Sequence, residues 1–410
     1  MSLLVLWDTE IGRLERTDER SREYAFRYTR LDARPISLAL PVREEPFSAA
    51  DSRPFFEALL PEGALRERIA QELRLAPSDG YGLLERLGRD CAGALQIVPV
   101  DAPPVAPTVR WLDARRLDEL VQQLPRHPLG IRAGDRRLRL SLAGVQRKAV
   151  LVRDDSGRFG EPLDGMPSTH ILKPDPLDPE LPGLAVNECF CMRLADRCAL
   201  PAAPVDLIRA AERPCLVVER FDRDRSTWPP TRVHQEDLCQ ALGLTPDFKY
   251  QHVDWQLPSY RALADLLDRH SPRPGLDRLF AARTAVFHFL VGNADAHAKN
   301  VSLLHGPEGV RLAPLYDVVA TAAYPHLGTS LALAIGDELD PARIGVAHWS
   351  DLAHDFGLHP GAFAQTQRAL AERTLAEARA LRDEARAEGW HHPVVDAIVD
   401  TISARATQVA

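Results

Sequence analysis

The stretch Val291–His305, VGNADAHAKNVSLLH, decides how the rest of the chain is read. It sets Asn293, Asp295, His297, Lys299 and Asn300 within ten residues, directly after the apolar run TAVFHFLV. Three readings compete. His288, His297 and His305 with Asp295 could ligate a metal, but their spacing follows no H-x-x-x-H or C-x-x-C template. Gly292, Asn293 and Asp295 also suit the end of a helix, and capping alone would account for Asn293. The third reading rests on Asp295 being followed five residues later by Asn300. Protein kinases place a base and a magnesium ligand at that spacing, the Asp taking the acceptor proton and the Asn holding the ion.

The kinase reading requires more groups, and each has a bland alternative. Mg²⁺ prefers oxygen ligands, so a second carboxylate is needed. VRLAPLYDVVA reads as a strand ending at Asp317, where a kinase would carry its metal-binding Asp. THILKPD supplies Lys173 at the end of an apolar strand to hold phosphates, against the bland reading of a surface lysine. Glu188, near the start of the helical stretch LAVNECFCMRLADRCAL, fits the lysine-orienting acid or a solvated carboxylate. CLVVERFD offers Glu219 and Phe221 on a connector toward an adenine. The phosphate loop departs from G-x-G-x-x-G. In SLAGVQRK only Gly144 is present, with Ser141, Gln146 and Lys148 as further donors, and a strand turn with a basic rim is the alternative.

Composition narrows the classes. A chain of 410 residues exceeds one ordinary core, and a formal net charge of -8 argues against a general nucleic-acid coat. The most basic stretch, Arg136 to Arg153, lacks the interleaved aromatics that base stacking needs. Six cysteines without a C-x-x-C pair suggest buried, reduced thiols in a cytoplasmic protein. The acidic turn after MSLLVLW reads as a strand rather than a signal peptide, and no apolar run is long enough to span a bilayer.

The first hundred residues mix strand-like SLLVLW and ISLAL with helical FFEALLPEGALRERIAQEL, broken at Pro61. The proline-stiffened DAPPVAP (101–107) marks a boundary. RRLRLSLAG, KAVLVR, THILK and CLVVERF are four strand candidates, and from about residue 235 helix follows helix. We expect an α+β, protein-kinase-like two-lobe fold with an extra β-rich N-terminal subdomain and an all-helical C-terminal lobe. The expected domains are 1–105, 106–222 (nucleotide-binding lobe) and 223–410 (catalytic lobe).

In that order SLAGVQRKAVL, THILKPD, NECFCMRLA, VVERFDR, VHQEDLCQALG, GNADAHAKNVSLL and LAPLYDVVAT resemble the HipA-type serine/threonine kinases, toxins of bacterial toxin–antitoxin pairs. The likeness covers about residues 135–335, with the first hundred resembling the family's N-terminal subdomain. The D-x-H-x-x-N loop with the later LYD is specific to the family. AIGDELD near 334–340 departs where members carry a second glycine or a lysine. The resemblance implies that Lys173 contacts the ATP phosphates and that Glu219 and Phe221 hold the adenine. It implies Asp295 as base, Asn300 and Asp317 as Mg²⁺ ligands, and Ser141 as a self-phosphorylated, self-inhibiting site. His297 would brace the loop. It further implies a HipB-like helix-turn-helix antitoxin as partner, DNA reached only through that antitoxin, and an aminoacyl-tRNA synthetase such as glutamyl-tRNA synthetase as substrate. A lipid or small-metabolite kinase and a non-catalytic scaffold remain as competing functions. A full set of Lys173, Asp295, Asn300 and Asp317 weighs against the scaffold.

Overall fold

The structure is a computed structural model that describes residues 2–18, 22–103, 105–131, 146–252, 254 and 256–409. Chain contacts divide it into two units: 1–174 with 210–212 and 219–247, and 175–209 with 213–218 and 248–410.

The first unit begins with an antiparallel sheet in the order Tyr24–Tyr28, Thr9–Arg16, Ser2–Trp7, Gln96–Pro99. Its register sets Leu3 opposite Leu14 and Leu14 opposite Phe26, so one face of three strands is apolar. All three side chains are buried. This is the period-two pattern of a half-covered sheet. Helices Ala49–Ala58, Gly63–Leu73 and Gly80–Leu87 supply Phe55, Phe56, Leu65, Ile69, Leu83 and Leu84 to the same core. Gly12 is fixed by closeness: a Cβ there would lie 2.5 Å from the Phe26 ring. The expected strand ISLAL forms only an isolated bridge between Ser37 and Leu40. Its backbone is drawn into local bonds, with Ser37 Oγ accepting from Ala39 N and Leu40 N donating to Ser37 O.

A second set of antiparallel strands in this unit runs in the order Thr108–Trp111, Phe159–Leu163, Ala149–Arg153, His170–Pro174. Val150, Leu151 and Val152 are all buried, so this strand is covered on both faces and reads as an unbroken apolar run. RRLRLSLAG lies outside the described residues, as do Ser141 and Gly144.

The second unit is mainly helical. Pro274–Val291 is apolar on nearly every side because Pro360–Glu388, Pro393–Val409 and Tyr260–His270 all pack on it. Gly292 ends it in the left-handed conformation (φ 77°), so the capping reading of GN holds. The 29-residue Pro360–Glu388 helix buries Phe363, Leu370, Ala378, Leu381 and Ala385 and leaves its charges outside. The C-terminal lobe is not all-helical. The hairpin Ser302–Gly306/Gly309–Leu312 follows the polar cluster, made possible by Gly309 at the turn (φ 136°). Asp317 does not end a strand either. The strand stops at Leu312, Pro314 withholds an N–H, and Leu315 turns instead to Pro201 and Ala203. Among the described residues no helix is long and apolar enough to cross a membrane. All six cysteines are buried and none is in a disulfide.

Candidate active site

In the second unit the polar cluster folds into a tight loop at the C-terminal end of the buried helix. Asn293 N donates to His288 O (2.9 Å), and Asn293 Oδ1 accepts from Asp295 N (2.9 Å). Asn300 Nδ2 donates to Asp295 O (2.9 Å), closing the loop across five residues. That bond uses the amide nitrogen and leaves Asn300 Oδ1, the oxygen a hard cation would want, on the other side. Asp295 is exposed while His297 is 7 % exposed, so the carboxylate faces solvent and the imidazole faces the protein. His297 lies edge-on to Tyr250, with ring centroids 5.3 Å apart. His288 sits behind the loop, its Nδ1 3.1 Å from Asn293 Nδ2, and burial pushes its pKa down to about 4. It is therefore neutral at pH 7. Among the described residues no group of three His, Cys, Asp or Glu could hold a metal ion, so the histidine-site reading finds no cluster.

Asp317 stands in the left-handed region (φ 57°), which costs a non-glycine residue on the order of 1–2 kcal/mol. The flanking residues impose it. Tyr316 Oη donates to Lys299 O (2.7 Å) and lies 2.7 Å from Ser302 Oγ, tying the Asp317 turn to the Asp295 loop. Thr321 Oγ1 accepts from Ala294 N (2.8 Å) and donates to Gly292 O (3.0 Å). Asn187 grips Ala320 at both backbone groups, donating to its O (3.1 Å) and accepting from its N (2.8 Å). Asn187 lies on the helix Leu184–Arg197, whose start is held by Asp175 accepting from Gly183 N and Ala185 N. Glu188 on that helix is fully buried, which removes the solvated reading of this carboxylate. Asp295, His297, Asn300 and the turn of Asp317 are thus brought into one bonded assembly.

The first unit holds the remaining candidates. The register Ala149↔Leu172, carried one residue further, sets Lys148, just before its strand begins, opposite Lys173 on the neighbouring strand. Each is 6 % exposed, so neither is the surface lysine of the bland reading. Two largely buried lysines opposite one another in register are the residue types that a phosphate chain requires. Gln146 Nε2 is buried with no hydrogen-bond partner among the described residues, a donor open to the same kind of ligand. Glu219 is half-buried, 3.9 Å from His170 Nε2 and 3.3 Å from Arg225 Nη1.

Around the Glu219–Phe221 connector lies a buried ion network. Arg220 bonds Asp222 (2.7 Å), Ser168 Oγ (2.8 Å) and Cys91 O (3.0 Å). Arg223 bonds Asp90 (2.9 Å), Cys91 O (2.8 Å) and Gly93 O (3.0 Å). Asp222 in return accepts from Gly93 N (2.7 Å). Burial alone would raise the Asp222 carboxyl, but Arg220 and Arg223 hold it well below the usual carboxylate range. Burial, with Arg220 alongside, lowers Arg223 to about 10, still charged at neutral pH.

A family model described as the HipA-like C-terminal domain matches residues 140–382, more than half of the chain, and one described as the HipA N-terminal domain matches 3–98. The chain belongs to the HipA-type protein kinases. It is 42% identical over 371 residues to a provisionally named kinase of Sinorhizobium fredii, covering 87% of this chain and 86% of that one. It is 31% identical over 360 residues to the serine/threonine-protein kinase toxin HipA of Shewanella oneidensis, covering 83% and 79%. A solved Shewanella oneidensis complex of HipA, HipB and operator DNA contains a chain that matches with a TM-score of 0.82 at 28% identity. That match covers 98% of this chain and 96% of the other.

Against the HipA pattern, sequence reasoning missed Tyr250, Tyr316, Thr321 and Asn187. Tyr250 Oη donates to Asp295 Oδ1 at 2.7 Å across 45 residues of sequence. No local pattern announces such a contact. Asn187 was hidden because NECF reads as an ordinary polar turn of an amphipathic helix.

Proposed function

We propose that this HipA-type chain is an ATP- and Mg²⁺-dependent serine/threonine kinase acting as the toxin of a toxin–antitoxin pair in the cytoplasm. The observation that carries the reading is the Asp295–Asn300 loop. One carboxylate is exposed at the end of a rigid helix, and the Asn300 amide is turned so that its oxygen is free for a cation. In the second unit, Asp295 accepts the proton of the acceptor hydroxyl and His297 braces the loop. Asn300 and Asp317 are the residues that would hold Mg²⁺, which when bound neutralises phosphate charge. In the first unit, Gln146, Lys148 and Lys173 bind the phosphates, while Glu219 and Phe221 hold the adenine on a connector stiffened by Arg220 and Asp222. As acceptor oxygen bonds to the γ-phosphorus, its proton passes to Asp295 and the bond to the ADP oxygen breaks.

The substrate we propose is an aminoacyl-tRNA synthetase of the glutamyl type, with a HipB-like helix-turn-helix antitoxin as restraint and DNA reached only through it. Self-phosphorylation at Ser141, outside the described residues, would silence the enzyme by adding a charge of about -1.5 to -2 to the phosphate loop. The test is transfer of label from γ-labelled ATP to purified glutamyl-tRNA synthetase and, in parallel, to lipid vesicles. Label in the synthetase, lost at least about a hundredfold in Asp295→Asn, is the expected result. Label in lipid alone would select the lipid-kinase alternative, and full activity in Asp295→Asn would remove the base assignment.

A further inference from the structure

The three residues Lys249-Tyr250-Gln251 belong to none of the motifs above, yet together they are fixed to two separate parts of the second unit. Lys249 O accepts from Ala298 N (3.0 Å), inside the Asp295 loop. Gln251 N donates to Ala332 O (2.8 Å), and Gln251 Oε1 accepts from Ala334 N (2.8 Å). Both ends of the tripeptide are therefore anchored, one on the loop and one on the segment beyond Asp317. Tyr250 between them is 48% exposed, its ring nearly perpendicular to that of His297 and its hydroxyl on Asp295 Oδ1.

A carboxylate has two oxygens and rotates readily unless one is held. Tyr250 holds Oδ1. Among the described residues no donor is bonded to Oδ2, and Asp295 is exposed. We propose that Tyr250 is a positioning residue for Asp295: its hydroxyl fixes the carboxylate so that Oδ2 alone is presented to the acceptor hydroxyl. The inference rests on Asp295 being the base. It assigns a task to the hydroxyl rather than to the ring, since packing on His297 needs only the ring.

The experiment compares Tyr250→Phe and Tyr250→Ala with the wild-type full chain, following ADP release from Mg-ATP, which registers any acceptor including water. Loss of one bond to a charged group in a half-exposed place should lower kcat about three- to tenfold. Both variants should fall alike, with KM for ATP and the thermal midpoint unchanged. Tyr250→Phe with wild-type kcat would overturn the proposal, as would a raised KM for ATP together with a lowered midpoint in Tyr250→Phe. Asp295→Asn run beside them separates the two readings. If it stays active the base assignment fails, whereas an inactive Asp295→Asn with a wild-type Tyr250→Phe refutes only the positioning role.

Discussion

Replacing Asn187 by Leu tests whether the Asp317 turn is held from the helix Leu184–Arg197. Leucine has nearly the shape of asparagine, so the change removes both bonds to Ala320, and the weaker one from Cys191 Sγ, without opening a cavity. Asn187 and Ala320 are both fully buried, so the Ala320 N–H and C=O would lose their partners with no water to replace them. An unsatisfied buried group costs about 1–3 kcal/mol, and the apolar gain of leucine offsets roughly 1 kcal/mol, leaving a loss of about 3 kcal/mol. In a unit of roughly 200 residues, each kcal/mol lowers the midpoint by about 2–4 °C, so the drop should be ~6–12 °C. If the turn relaxes instead, Asp317 leaves its left-handed conformation and kcat falls at least about tenfold. Differential scanning calorimetry and ADP release on the same preparation cover both routes. A midpoint within about 2 °C of wild type together with unchanged kcat would refute the reasoning.

Three further outcomes are expected. Asp90→Asn keeps the shape but strips the charge facing Arg223 and Arg232, and should destabilise by about 3–5 kcal/mol in urea unfolding. His288 has a folded pKa of about 4, below an unfolded value of about 6.5, so the unfolded chain takes up more protons between them. Its contribution is therefore complete above about pH 6.5 and is lost as pH falls toward 4, by at most ~3 kcal/mol. His288→Gln should flatten the stability–pH curve in that window, which thermal melts from pH 7 to 4 will read. Asn300→Ala should raise the Mg²⁺ concentration needed for half-maximal ADP release by at least about tenfold, with the midpoint nearly unchanged.

What the sequence made legible is what local pattern encodes. LAVNECFCMRLADRCAL announced its helix through apolar spacing, KAVLVR and THILK their strands through β-branched runs, and GN the end of the buried helix. The apolar run VRLAPLYDVVA reads as a strand ending at Asp317. The pattern failed there because Pro314 and the bonds of Leu315 to Pro201 and Ala203 override propensity. Nothing in the run ERFDRDR announces burial of its charges, since charge burial is ordinarily prohibitive. Arg220, Asp222 and Arg223 are nonetheless buried, because Asp90 and the carbonyls of Cys91 and Gly93 answer them from far upstream. Tyr250 escaped notice for the same reason: its meaning lies in a partner that sequence distance conceals.

The ion network also sets an order of events during synthesis. Asp90 waits for Arg223 and Arg232, which lie 133 and 142 residues downstream. At translation rates of about 5–20 residues per second, that gap lasts roughly 7–28 seconds. Throughout it the emerging chain carries an acidic residue whose native surroundings do not yet exist. The sheet of residues 2–99 can form early, but the wall that seals it around Asp90 cannot. A ribosome stalled before Arg220 therefore displays a first unit in which Asp90 lacks its arginine partners and cannot be buried without cost. The kinase becomes whole only after its connector has been made and has threaded back to its own beginning.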